Sequence, residues 1–215
     1  MPKSLLVKEF YKSIQGESSY AGLPCSFIRL SGCPLRCRWC DTVYGFKGGE
    51  TLSIDEILEK VEELDVPLVE LTGGEPLAQD NAIDLLKSLC EKGYTVLLET
   101  SGSISIEKVP KKTHIIMDIK CPDSKMSEHN LFSNLDHLKP SDEIKFVVAS
   151  KSDLSWAHMI IREYHLDKRF SVLISPAWGL VDPKDLVAWM LELKINARLN
   201  MQLHKYIWGP KAKSV

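Results

Sequence analysis

Behind Ser53, apolar residues recur at helical spacing, at Ile54, Ile57, Leu58, Val61 and Leu64, so a helix with one buried face is predicted there. Ser53 and Glu56 form a capping box that fixes its start. The period then changes. Residues 68–72 are a short run of strand formers, and Ile83, Leu86, Leu89 and Cys90 restore a helical stripe that Gly93 can end. Residues 94–99, 114–118, 144–148 and 171–175 read as further strands, with helices near 152–164 and 183–193. The strands are continuous apolar runs, which suits a parallel sheet covered on both faces. Alternating strand and helix predicts an α/β fold with mainly parallel strands, whose ligands gather at the carboxyl ends of the strands.

Polar residues follow three of those strands in succession: Thr72-Gly-Gly-Glu-Pro76, then Glu99-Thr-Ser-Gly102, then Asp118-Ile-Lys120. Any one of them reads as a turn that uses Gly, Ser and Pro for backbone reasons. Three on one rim, together with a cysteine loop, read as a site.

That loop is Cys33-Pro-Leu-Arg-Cys37-Arg-Trp-Cys40. Three thiolates can hold three irons of a [4Fe–4S] cube and leave the fourth iron open to a small molecule. A structural zinc wants four ligands and would have to recruit Cys25 or a distant histidine. A disulfide fits less well, because no apolar secretory segment opens the chain, which points to the reducing cytoplasm.

Composition narrows the classes. The chain has 215 residues, 44% of them hydrophobic, and a formal charge of −2, which fits one domain spanning residues 1–215 with a sizeable core. Near-neutral charge gives no footprint for nucleic acid, and the basic tail from Lys205 to Lys213 is too short to supply one. No stretch is apolar enough for a membrane span. No repeat or linker marks a boundary. A small-molecule partner is the expectation.

The cysteine spacing and the Gly-Gly-Glu-Pro motif together resemble the radical S-adenosylmethionine (SAM) superfamily. The resemblance implies a modified, partial radical SAM β/α barrel, trimmed because the span from the cysteines to Thr72 is short. It also implies that SAM occupies the open iron. Implied SAM contacts are Trp39, Cys40, Asp41, Gly73, Gly74, Glu75, Glu99, Ser101, Asp118, Ile119 and Lys120.

Within the superfamily, Ser13-Ile-Gln-Gly-Glu17, Phe27-Ile-Arg-Leu30, Cys40-Asp-Thr42 and Gln202-Leu-His-Lys-Tyr-Ile-Trp208 resemble the 7-carboxy-7-deazaguanine synthases. Those enzymes act on 6-carboxy-5,6,7,8-tetrahydropterin in the queuosine pathway, and the resemblance implies substrate contacts from Ile14, Gln15, Gly16, Glu17, Arg29, Thr72 and His204. It implies Mg²⁺ at Thr42, an electron donor such as flavodoxin or ferredoxin, and terminal segments that cover the substrate; a trimmed barrel leaves apolar edges, which a homodimer is expected to cover. Ser18 departs from the glycine that often follows Gln-Gly-Glu, which puts the local backbone in question.

Several residues take ordinary readings. Cys25 reads as a strand-edge neighbour and Cys90 as core, while Cys121 near the rim is a weaker core candidate, and none is assigned to the cluster. Trp156, Trp178 and Trp189 are expected to fill space, and Trp208 to belong to the covering tail. Two rivals remain: a glycyl-radical activase with a protein substrate, and a zinc-stabilised binding module.

Overall fold

The computed structural model describes residues 3–215. One nine-stranded sheet runs through it in the order β3-β1-β2-β4-β5-β6-β7-β8-β9. Its edge is antiparallel: β1 (Ser4–Ile14) lies between β3 (Glu50–Ser53) and β2 (Pro24–Leu30). From β2 onward every neighbouring pair is parallel, through β4 (Leu68–Gly73), β5 (Thr95–Thr100), β6 (His114–Asp118), β7 (Glu143–Val148) and β8 (Ser171–Pro176) to the two-residue β9 (Arg198–Leu199). β3 and β9 do not pair, so the sheet curls into an open barrel.

The predicted helices form. α1 (Ile54–Leu64) carries the capping box and packs Ile57, Leu58 and Val61 inward. α2 (Ala82–Glu91) hands over to Gly93 at φ +90°, a backbone only glycine adopts freely. α3 (Lys151–Glu163), the short α4 (Leu166–Arg169) and α5 (Pro183–Glu192) cover the far side, and α6 (Leu203–Trp208) closes the C-terminal end. The crossovers from β5 to β6 and from β6 to β7 carry no α-helix, only turns and short 3₁₀ segments. The barrel is trimmed there, in addition to lacking closure.

The two faces of the sheet differ in chemistry. Outward residues such as Ile28, Leu30, Val69, Leu71, Leu98 and Ile144 join the helices in the large core. Inward residues at the amino ends of the strands, Cys25, Phe27, Leu68, Leu97, Ile116 and Leu173, form a second apolar cluster that plugs the floor. Tyr11 stacks on Phe27 with ring centroids 5.0 Å apart. Further along the same inward rows come Arg29, Glu70, Thr72, Glu99, Asp118 and Lys145. Strand alternation therefore turns one plain register into an apolar floor and a polar chamber.

Candidate active site

The chamber has a volume of about 370 Å³ and opens at the carboxyl ends of the strands, within the range of small-molecule sites. Of the residues expected from the sequence to contact cluster, SAM, metal or substrate, all but Glu75 and Ile119 line it. Ile119 is 3% exposed and belongs to the core. Glu75 is fully buried, and its carboxylate accepts hydrogen bonds from Leu77 N at 3.0 Å, Thr100 Oγ1 at 2.9 Å and Ser101 N at 2.7 Å. Those donors satisfy it, so Glu75 positions the ends of β4 and β5 and its side chain is not free for SAM.

The glycine motif is welded to the cysteine loop. Gly74 N donates to Leu30 O at 3.2 Å and Glu75 N to Gly32 O at 2.8 Å. A Cβ on Gly74 would overlap the Gly32 carbonyl oxygen and stand 2.7 Å from Cys33 Cβ, and one on Gly73 would stand 2.6 Å from Leu30 O. The two glycines thus let two backbones touch beside the first cysteine.

Cys33, Cys37 and Cys40 are half-buried and all face the chamber. Burial pushes the Cys33 and Cys37 thiols above the ordinary thiol range, so iron must displace their protons to bind. Among the described residues no three Cys, His, Asp or Glu side chains converge closely enough to hold one metal ion, which is what a mononuclear zinc site requires. Three thiols that line one chamber suit a cube in which each sulfur takes its own iron. Cys25, Cys90 and Cys121 are buried away from the chamber and supply no fourth ligand.

The same chamber holds a charge cluster, whose Lys120 and Asp118 lie near Cys37. Lys145, buried on β7, makes ion pairs with Glu17 at 3.1 Å, with Glu99 in direct contact and with Asp118 at 4.0 Å. Lys120 meets Asp118 at 2.9 Å. Glu17 also accepts from Gln202 Nε2 at 2.9 Å. Burial alone would raise Glu17, but Lys145 and Gln202 outweigh it and hold its carboxyl below the usual range. Arg29 donates through Nε to Glu9 at 2.8 Å and through Nη1 to Gly73 O at 3.3 Å, which fixes its fork beside Thr72, its register partner.

The β1–β2 loop spans the open seam. Gly16 O accepts from Leu203 N at 2.9 Å, and a side chain on Gly16 would collide with the His204 imidazole. Ser18 sits at φ +61°, the left-handed region that favours glycine. The backbone therefore keeps a glycine-like path, while Ser18 N donates to Asn200 Oδ1 at 2.9 Å and Ser18 Oγ accepts from Tyr20 N at 3.2 Å. Lys205 joins α6 to the residue after the third cysteine, donating to Asp41 Oδ2 at 2.6 Å.

Sequence reasoning missed Glu9, Glu70, Lys145 and Lys205. Glu70 and Lys145 are charged residues inside predicted strands, where inward alternation beside a known site residue is the signal that could have found them; Lys205 stands in the 202–208 motif next to His204, and Glu9 lies where no strand is predicted. Trp178, expected to fill space, lines the chamber mouth edge-on to Tyr206. Trp156 and Trp189 pack against the core, whereas Trp208 is 42% exposed and outside the lining.

An open parallel barrel with a three-cysteine loop and a glycine motif at its rim defines the class, and residues 27–125 match the radical SAM superfamily. The fold superposes on the crystal structure of QueE from Escherichia coli with a TM-score of 0.78 at 24% identity, covering 94% of this chain and 95% of that one. Such an enzyme uses a [4Fe–4S] cluster and SAM. A 7-carboxy-7-deazaguanine synthase from Koribacter versatilis is 44% identical, covering 97% of this chain and 99% of its own. One from Chlorobaculum tepidum is also 44% identical, over 98% and 97%. The chain belongs to the 7-carboxy-7-deazaguanine synthase family.

Proposed function

We propose that the protein converts 6-carboxy-5,6,7,8-tetrahydropterin to 7-carboxy-7-deazaguanine with release of ammonia, within 7-deazapurine and queuosine biosynthesis. The observation that carries this reading is convergence: Gln15, Glu17, Arg29, Thr72 and His204, far apart in sequence, face the same chamber as the three cysteines. When bound, the cluster and SAM supply a 5′-deoxyadenosyl radical that takes a hydrogen atom from the substrate.

The remaining work falls to side chains of the chain itself. Arg29, anchored by Glu9, has N–H groups left over to pair with the substrate carboxylate. Thr72 lies beside it, at the level of the glycines. Gly74, Ser101, Asp118 and Lys120 mark the SAM side of the rim. Gln15 differs from the sequence expectation: its Nε2 donates to Glu70 at 2.6 Å and its Oε1 accepts from Glu17 N, so it positions the floor more than it reads the substrate. Residues 13–17 and 202–208 form the segments that cover the substrate in a single domain. Burial first of all keeps His204 below the usual imidazole range, so it meets the substrate as a neutral ring.

Thr42, which lines the chamber two residues past Cys40, would give Mg²⁺ a hydroxyl oxygen, with substrate carboxylate and water completing a hard-ligand shell. A flavodoxin- or ferredoxin-type protein would supply the electron, in the cytoplasm. The same reading includes a homodimer covering open edges of the sheet. Among the described residues no helix is long and apolar enough to cross a membrane.

The test is anaerobic incubation of reconstituted enzyme with SAM, reductant, Mg²⁺ and carboxytetrahydropterin, followed by mass analysis. The expected product has lost one ammonia from the substrate. Cleavage of SAM without that product would overturn the reading.

A further inference from the structure

Glu70 is 1% exposed, lines the chamber, and makes no ion pair with any described residue. It stands on β4 one layer below Thr72, about 6.6 Å along the strand on the same face, with Phe27 and Leu97 in register on either side. The Tyr11–Phe27 stack beside it offers a flat apolar wall. Its Oε2 accepts from Gln15 Nε2 at 2.6 Å. Because Gln15 Oε1 is occupied by the Glu17 backbone N–H, the amide cannot turn over, and its nitrogen must face Glu70. Glu70 Oε1 takes no hydrogen bond from the described residues. The neighbouring acids differ, since Glu17 and Glu99 are both engaged by Lys145. A carboxyl whose orientation is enforced while one oxygen is left free is arranged to meet a ligand.

We propose that Glu70 is the acceptor for the N–H edge of the substrate heterocycle, the ring N3–H and exocyclic amine of a 2-amino-4-oxopyrimidine. This rests on the pterin reading above. A heterocycle lying along the stack would reach from Arg29 at the rim, which takes its carboxylate, down to Glu70 at the floor. Two donors side by side match a carboxylate, which has lone pairs to spare after the bond from Gln15.

The proposal carries a proton consequence. The groups that face Glu70 are Tyr11 from β1, Cys25 from β2, Glu99 from β5, Lys145 from β7 and Glu17 from the β1–β2 loop. Burial first, and then Glu99, push Glu70 up to about 8, with Gln15 and Lys145 pulling the other way. Tyr11 and Cys25 are themselves pushed up by burial and stay neutral at pH 7. Free enzyme at pH 7 therefore holds Glu70 protonated, and two N–H donors arriving on it favour the ionised form. Substrate binding releases that proton.

Calorimetry of carboxytetrahydropterin binding to the SAM-loaded holoenzyme at pH 7, in two buffers of different ionisation enthalpy, counts it. The wild type is expected to release protons on binding substrate, up to one per site. Glu70→Gln is expected to release none. Gln15 would still have to donate to the oxygen of the new amide, which turns its NH₂ toward the chamber and sets donor against donor. KM should rise roughly 10- to 100-fold, the cost of one unmet buried hydrogen bond, with kcat changed less. Glu70→Asp, which keeps the acid but retracts it by one methylene, should retain proton release and fall between the two in KM. Cluster absorbance in each variant reports folding, and Glu70→Asp decides if Glu70→Gln fails to load. Wild-type proton release and KM in Glu70→Gln, or in Glu70→Asp with Glu70→Gln unfolded, would overturn the proposal. A wild type that neither binds nor converts the pterin would overturn the reaction proposed above, and this assignment with it.

Discussion

Replacing Lys145 by Met keeps the side-chain bulk and removes the cation that Glu17, Glu99 and Asp118 share. The lysine is 4% exposed, so its loss is not made good by water. At an effective dielectric near 20, one charge pair at about 4 Å carries about 4 kcal/mol of gross attraction, and much of that is offset by desolvation. The measured cost of breaking a buried pair by removing one partner is about 3–5 kcal/mol, and three carboxylates are left facing one another here. For a chain of this size that corresponds to an unfolding midpoint roughly 6–20 °C lower. The assay is far-UV circular dichroism on anaerobic wild-type and variant protein at one scan rate, at pH 7 and again at pH 5. In the wild type Glu17 is held below its unfolded value, so its contribution is present above the unfolded carboxylate range and is lost as pH falls. In the variant only Gln202 and His204 still oppose the raising effect of burial on Glu17, so its carboxyl moves up and protonation relieves it. Between pH 7 and pH 5 the variant's protonation narrows the gap, while the wild-type contribution is lost only below the unfolded carboxylate range. A loss under about 1 kcal/mol, or a gap that widens toward pH 5, would refute the account.

Three further outcomes are expected. Changing Cys33, Cys37 or Cys40 to Ala should leave the sheet intact by circular dichroism and abolish iron and sulfide, which run near four each per chain in the reconstituted wild type; metal analysis checks it. Gly74→Ala should cut cluster occupancy although no ligand is touched, because the new methyl overlaps the Gly32 carbonyl and crowds Cys33; unchanged iron content would show that the loop relaxes without cost. Thr42→Ala should blunt the stimulation of turnover by Mg²⁺ while cluster absorbance survives, and an unchanged Mg²⁺ titration would remove Thr42 from the metal site.

Much of this architecture was legible because β4 to β8 each carry a short apolar run and the stripes of α1, α2, α3 and α5 repeat at helical spacing. β1 was not. Leu5 and Val7 join the outer core, but the register shifts between Val7 and Glu9, so that Tyr11 lines the chamber and the alternation that marks a half-buried strand is broken. Barrel interiors near a site are polar, so strand patterning fails where function begins. The rim was legible through its motifs, since cysteines, glycines and Gln-Gly-Glu have backbone or ligand chemistry that spacing records. Lys145 and Glu70 have only position. Nothing marks them until register places them beside Glu99 and Phe27. Glu75 shows the converse, a motif residue whose carboxylate serves the scaffold.

The seam across the open barrel also sets an order of assembly. All three cysteines lie within the first fifth of the chain, and the glycine motif that braces them follows by residue 75. Glu17, by contrast, finds Lys145, Asn200 and Gln202 as partners, separated from it by 128, 183 and 185 positions. Contacts of such long range close late, because the loop entropy they cost must be met first. During synthesis the wall for the cluster can take shape while most of the barrel is still unmade. The chamber for the substrate is completed only when the segment from Asn200 onward folds back onto the first loop.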